Sequence, residues 1–465
     1  MNLPNVLRNP LLLQEWQWVA DPVGYMEQSA QQHPDIFSAG LLSGQHLVFV
    51  NHPQAIQEIL TNDRKRFVAP GEVNRILSPL IGDASVIMLS DDRHKRRRQL
   101  VMPPFHGDRM RNYGDLIRQL TEKVMSQYAI AQPFNARSAM QEISLQVILQ
   151  TVFGVTEGER YEQIRAAITK MCDFFHNPLS ASFLFFPWMQ RDWGTWMPWG
   201  RFLRDRGEID TLLYAEIADR RQQDNSDRVD ILSMLMAARD ENGEPMSDSE
   251  LRDELMTLLF AGHETTATAM AWALYWVHHL PNVREKLLQE IEALGENPDP
   301  MSIVRLPYLS AVCNETLRLY PVAMLTFSRI VKEPLELLGY PLQPGTAVVG
   351  CIYLLHHRED LYPESHQFKP ERFLERQFSP YEFMPFGGGA RRCIGEALAM
   401  FEMKLVLATI LSNYELALVD RRPEVPRRRG VTLAPGTGVK IKIVGQKPVR
   451  STEAIAQQNH FSELA

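Results

Sequence analysis

Residues 386–395, FGGGARRCIG, set three glycines and two arginines directly in front of one cysteine, and the EALAMFEMKLVLATIL that follows has the apolar spacing of a helix. Glycine permits backbone conformations and close approaches that a Cβ forbids. Three in succession therefore predict a loop pressed flat against something bulky. The helix beginning just after Cys393 aims its dipole and free N–H groups back toward the sulfur, and Arg391 and Arg392 add positive charge, so the thiol is expected to ionise readily. On spacing alone such a cysteine is a turn residue, a metal ligand or a nucleophile. A phosphate loop is excluded, because no GK[ST] follows the glycines.

The rest of the chain narrows the setting. Its 465 residues exceed the usual size of one domain, yet no repeat and no low-complexity linker divides them. With 45% hydrophobic and 23% charged residues it has the composition of a globular protein with a sizeable core. A net charge of −7 argues against nucleic acid as a partner. Cys172, Cys313, Cys351 and Cys393 form no CxxC and no zinc-finger spacing, which suits a reducing cytoplasm. The N-terminal three-leucine run has no small-residue cleavage site and is too short to cross a bilayer, so neither a secretory signal nor a transmembrane anchor is expected.

Residues 40–60 alternate as a short strand pair and then turn helical after Pro53. From about 115 to 320 the helical period dominates, most continuously over 251–280. Past Pro321, short apolar runs broken by Gly and Pro predict a small sheet, and GVTLAPGTGVKIKIV (430–444) predicts a hairpin. The last 20 or so residues are polar and expected to fray. The fold class is mainly α with small β elements.

Taken whole, FGGGARRCIG resembles the cysteine-ligand loop of the cytochrome P450 family, the haem-thiolate monooxygenases, with Phe386, Gly387, Gly389, Arg391, Cys393 and Gly395 at that family's spacing. The resemblance implies the P450 fold, one domain over 1–465 with its core at about 30–445, and haem b (iron protoporphyrin IX) as cofactor. Cys393 is then the proximal iron ligand. Phe386, Gly387 and Gly395 lie beside the ring, and Arg391 pairs a haem propionate.

Other stretches extend the resemblance. NETLRLYP (314–321) carries Glu315 and Arg318 at i, i+3, by themselves an ordinary helix ion pair. FKPERF (368–373) follows where the family supplies a further arginine, so the resemblance makes Glu315, Arg318 and Arg372 a buried structural network. AGHETTA (261–267) interrupts the apolar stripe of the long helix. It begins an HExxH but ends on Ala267, so a zinc site fails. Thr265 is placed to bond back to the Ala261 carbonyl and bend the helix. The stretch resembles the family's oxygen-binding groove, with Glu264 relaying protons and Thr265 as its alcohol. His94 and Arg98, at i, i+4 in DDRHKRRRQLVMPPF (91–105), match a pair that grips a propionate, although tryptophan is commoner than histidine there. Arg329 in FSRIV matches a further propionate arginine.

The electrons are expected from a separate ferredoxin and ferredoxin reductase, docking on a basic patch drawn from Lys95, Arg96, Arg97, Arg392 and Lys404. Arg75, Ile76, Leu77, Leu80, Val322, Leu325 and Leu433 are the expected substrate wall, with the aromatic run 174–199 as lid and channel mouth. Few polar anchors in these walls imply a lipophilic substrate. Long-chain fatty acids come first, then terpenoids or steroids, oxidised with O2 by a monomer. A non-catalytic haem sensor or carrier and a peroxide-driven hydroxylase are the alternatives, and neither needs the Glu264 and Thr265 pair.

Overall fold

The computed structural model describes residues 3–447, apart from 42–44, 106–108, 155–156, 177–182, 184–188, 224–227 and 421. The polar tail and much of the aromatic run 174–199 therefore lie outside the described residues.

The organising element is the 32-residue helix Asp248–His279. It starts with a capping box, in which Ser247 Oγ accepts from the Glu250 N–H at 3.3 Å and Glu250 Oε2 accepts from the Ser247 N–H at 2.9 Å. From Thr266 to Leu274 it is buried on every side, as a helix through the middle of a core must be. Helix Ala136–Phe153 lies against it. Gly262 makes the approach close, since a Cβ there would sit 2.9 Å from Ile148 Cδ1. Helix Glu396–Asn413, entered through Gly395, joins these two in the largest apolar cluster.

A five-stranded sheet flanks this helical mass in the order Ile36–Leu41, Gln45–Val50, Ala347–Gly350, Arg329–Val331, Phe67–Val68. The first pair is antiparallel with Ile36 opposite Val50, and the second is parallel with Val48 opposite Val348. Separate apolar clusters line this sheet, one of them stacking Phe37 on Phe49 at 4.9 Å. The strand pair near residue 40, the helix Pro53–Thr61 and the small sheet after Pro321 all stand where the periodicity put them.

The hairpin expected over 430–444 does not form. Thr432–Pro435 pairs backward with Pro426–Arg429 across Gly430, whose φ of 58° is left-handed, while Lys440–Gln446 joins Tyr414–Leu418 and Pro133–Asn135. The strand Pro426–Arg429 carries three consecutive arginines and no apolar alternation, so it gave no signal in the sequence. No helix among the described residues is long and apolar enough to cross a membrane.

Candidate haem-thiolate site

The glycines before Cys393 each have a local reason. Gly387 and Gly389 adopt φ of 67° and 64°, the left-handed region that side chains resist. A Cβ on Gly388 would stand 2.6 Å from Leu60 Cδ1, and one on Gly389 2.2 Å from Asp63 Oδ2. The loop is thus pressed onto the end of helix Pro53–Thr61. It closes on itself where the Cys393 N–H donates to the Phe386 carbonyl at 3.0 Å.

Cys393 is the one exposed cysteine of the four. Even so, desolvation by surrounding protein pushes its thiol up, outweighing the lowering by the Gly395 N–H, Arg98 and Arg392. This corrects the expectation of a readily ionised sulfur. A cation beside this sulfur is what would hold it as thiolate. Ala261, midway along the long helix, is exposed as well, between buried Leu259 and His263.

Positive charge gathers in the same region. His94, Arg329 and Arg391 are buried at 4%, 1% and 7% exposure. Burial first, then Arg391, Arg98, Arg64 and Arg329, lowers His94 to about 3. Burial, with Arg329 and Arg98, lowers Arg391 to about 10. Asp63 opposes this, but it already accepts from Arg329 Nε at 2.6 Å and from the Ala390 N–H at 2.7 Å. Arg391 itself donates to the carbonyls of Ala69, Val86 and Leu89 at 2.6, 3.0 and 2.5 Å, and Arg329 to those of Phe327 and Gly388 at 2.6 and 3.0 Å. His94 is therefore neutral, but Arg98, Arg329 and Arg391 against the single carboxylate of Asp63 leave an excess of cations, an arrangement stabilised by added anionic charge.

On the long helix, Thr265 Oγ1 donates to the Ala261 carbonyl at 2.5 Å. Glu264, 13% exposed, is ion-paired through Oε1 with Arg137 and accepts from Gln141 Nε2 through Oε2 at 2.7 Å. Neither Arg137 nor Gln141 is flagged by any local motif.

The family model for cytochrome P450 matches residues 4–442. The chain belongs to the cytochrome P450 family. The putative cytochrome P450 135B1 of Mycobacterium bovis and of Mycobacterium tuberculosis is 35% identical over 435 residues, 93% of this chain and 90% of the relative. Putative cytochrome P450 135A1 of Mycobacterium tuberculosis is 32% identical across 96% of this chain and 94% of its own length. Among solved structures, the retinoic acid-bound cyanobacterial CYP120A1 superposes with a TM-score of 0.82 at 23% identity, covering 96% of this chain and 99% of that one. The haem domain of cytochrome P450DA follows at 0.81 and 22%, covering 96% and 98%. As a P450, the protein is a monooxygenase that binds protoporphyrin IX haem with a thiolate on the iron. The residues present fit that group: an exposed sulfur suits the metal, and the buried arginines Arg329 and Arg391 suit two propionates.

The P450's structural network closes as a unit. Glu315 and Arg318 are both fully buried and joined by two bonds of 2.7 and 2.8 Å. Arg372 Nε reaches Glu315 at 3.4 Å, and the Lys369 N–H donates to it at 2.8 Å. Arg318 also donates to the His356 and Gln367 carbonyls at 2.7 and 3.2 Å.

Two groups of expected residues lie elsewhere than expected. Arg97 is buried, paired with Glu250 and with Glu254 at 3.0 Å, and donates to the Ala84 carbonyl at 2.9 Å. It fastens its helix to the long helix and has no place on a docking surface. Lys404 is half-buried and donates to the Val304 carbonyl at 2.9 Å. Of the five patch residues, Lys95 and Arg392 are exposed and Arg96 half-exposed, with Arg392 bonded to Glu396 at 2.6 and 2.7 Å. In the expected substrate wall, Leu80 and Leu433 have no accessible surface and belong to apolar cores, so neither faces a ligand. Ile76, Leu77, Val322 and Leu325 remain half-exposed, and Arg75 is exposed in the 3-10 helix Gly71–Leu77. In the aromatic run, Trp199 is core, whereas Trp193 and Trp196 stand exposed.

Proposed function

We propose that this P450 uses Cys393 as its iron ligand and inserts one oxygen atom of O2 into a C–H bond of a lipophilic substrate, a long-chain fatty acid first and a terpenoid or steroid second. The observation that carries the cofactor assignment is the convergence of His94, Arg98, Arg329 and Arg391 near the one exposed cysteine. When bound, the haem supplies the activation of dioxygen. Phe386, Gly387, Gly395 and Ala261 border it, and the cationic cluster holds its propionates. Thr265 offers a hydroxyl to the oxygen groove, and Glu264 moves protons in from solvent. Presence of both residues favours a monooxygenase over a sensor or a peroxide-driven enzyme. A separate ferredoxin with its reductase supplies electrons, docking at Lys95, Arg96 and Arg392. The protein acts as one haem-centred domain, a cytoplasmic monomer.

The substrate class rests on Arg75, exposed beside half-exposed Ile76 and Leu77. The retinoic acid named with the cyanobacterial structure is likewise a lipophilic carboxylate. Reduced protein under carbon monoxide is expected to show the red-shifted Soret band of a thiolate-ligated haem. Arg75→Ala should weaken dodecanoic acid, titrated by the haem spin-state shift, by about fivefold, equivalent to ~1 kcal/mol for an exposed pair. Dodecanol should bind both forms alike. Equal weakening of acid and alcohol removes the carboxylate anchor, and absence of the shifted band removes the haem-thiolate reading.

A further inference from the structure

We propose that Arg137, seconded by Gln141, is a positioning residue for oxygen reduction: it fixes the Glu264 carboxylate at the groove, and without it protons reach the groove too slowly to keep reduced oxygen from leaving as peroxide. The inference rests on the reading of Glu264 and Thr265 given above.

A glutamate side chain turns about three bonds, and one that borders a cavity has little packing to hold it. Here both oxygens are held from one neighbouring helix. Arg137 and Gln141 stand at i, i+4 on Ala136–Phe153, hence on one face. Ser144, one turn further, donates to the Gly262 carbonyl at 3.3 Å. Three polar residues on one face of this helix thus address residues 262–264 of the long helix. The helices meet closely there, since a Cβ on Gly262 would press on the end of the Ile148 side chain.

Arg137 is itself fixed. Its side chain is 5% exposed. The first turn of its helix is anchored by the Ala136 N–H on the Val439 carbonyl at 2.9 Å and the Arg137 N–H on the Gly438 carbonyl at 3.0 Å. Asn135 caps the same turn by accepting from the Ser138 N–H at 3.2 Å. Arg429, on Pro426–Arg429, adds a second guanidinium, lowered first by burial and then by Arg137, with Glu264 opposing. The carboxylate therefore sits among cations on a rigid support, which is what a group that must repeatedly return to one place requires.

The test needs no organic substrate. Haem-loaded wild type, Arg137→Met, Arg137→Lys and Gln141→Leu are reduced by NADPH through a surrogate ferredoxin and its reductase. Peroxide release takes one NADPH and one proton per O2, whereas full reduction to two waters takes two NADPH and two protons. NADPH consumed per peroxide formed reports the partition. Arg137→Met should cut the share of electrons reaching water at least threefold with the carbon monoxide band unchanged. Gln141→Leu should cut it less, and Arg137→Lys should restore most of it. Independently of turnover, the drop in Tm caused by Arg137→Met should largely vanish in a Glu264→Gln background.

A wild-type partition in Arg137→Met with the haem band intact overturns the proposal, as does a lysine variant no better than methionine. Should Arg137→Met not fold, an unchanged partition in Gln141→Leu overturns it. Thr265→Ala separates the two levels. If it too partitions like wild type, the proton-relay reading fails; if it diverts electrons to peroxide while Arg137→Met does not, only the role of Arg137 fails.

Discussion

Cys393→Ser is expected to abolish the thiolate-type carbon monoxide spectrum and reduce oxygenation to background, while Cys351→Ser changes neither. The difference follows from where the four sulfurs lie. Burial pushes the thiols of Cys313 and Cys351 to about 12, and Cys351 is packed against Met26 with its sulfur 3.3 Å from Sδ. Cys172 is buried beside His263 at 3.7 Å. None of these three offers an exposed sulfur. Cys393 is exposed, is reached by the Gly395 N–H, and has Arg98 and Arg392 lowering its thiol against the burial that raises it. A serine hydroxyl in that place is far harder to ionise and donates less charge to iron. The check is the reduced carbon monoxide spectrum of each purified variant. A shifted Soret band that survives in Cys393→Ser would reassign the ligand.

How much of this was open to inspection in the sequence depends on whether the cause is local. The loop 386–395 was legible because its glycines answer to backbone conformation and one-residue contacts, as at Gly387 and Gly389. The long helix was legible because its apolar period runs for thirty-two residues. Glu315 and Arg318 were legible because a three-residue step on a helix already brings them together. Arg97 was misread for the opposite reason. It sits among Lys95, Arg96 and Arg98 like any solvated charge, and only the partners Glu250 and Glu254, more than 150 residues away, draw it inside. Arg137 and Gln141 escaped in the same way, as did the burial that reverses the expected titration of Cys393. Leu80 and Leu433 show the limit on the apolar side, because hydrophobicity does not say whether a leucine faces a ligand or a core.

The Glu315 network sets the second large effect. Arg318→Met is expected to destabilise the folded protein by about 3–5 kcal/mol, because Glu315, with no accessible surface, loses its bidentate partner. Replacing both members with apolar residues often recovers such a loss, but it should not do so here. Arg318 also satisfies the His356 and Gln367 carbonyls, and Glu315 also satisfies the Lys369 N–H. A Glu315→Leu, Arg318→Met double variant orphans those backbone groups, each at roughly 1–3 kcal/mol. Arg392→Ala breaks a pair of similar geometry between half-exposed side chains and should cost under about 1 kcal/mol. Urea unfolding of the three variants against wild type separates these cases. A double variant as stable as wild type would mean that the ion pair, and not the backbone bonds around it, is what the core must accommodate.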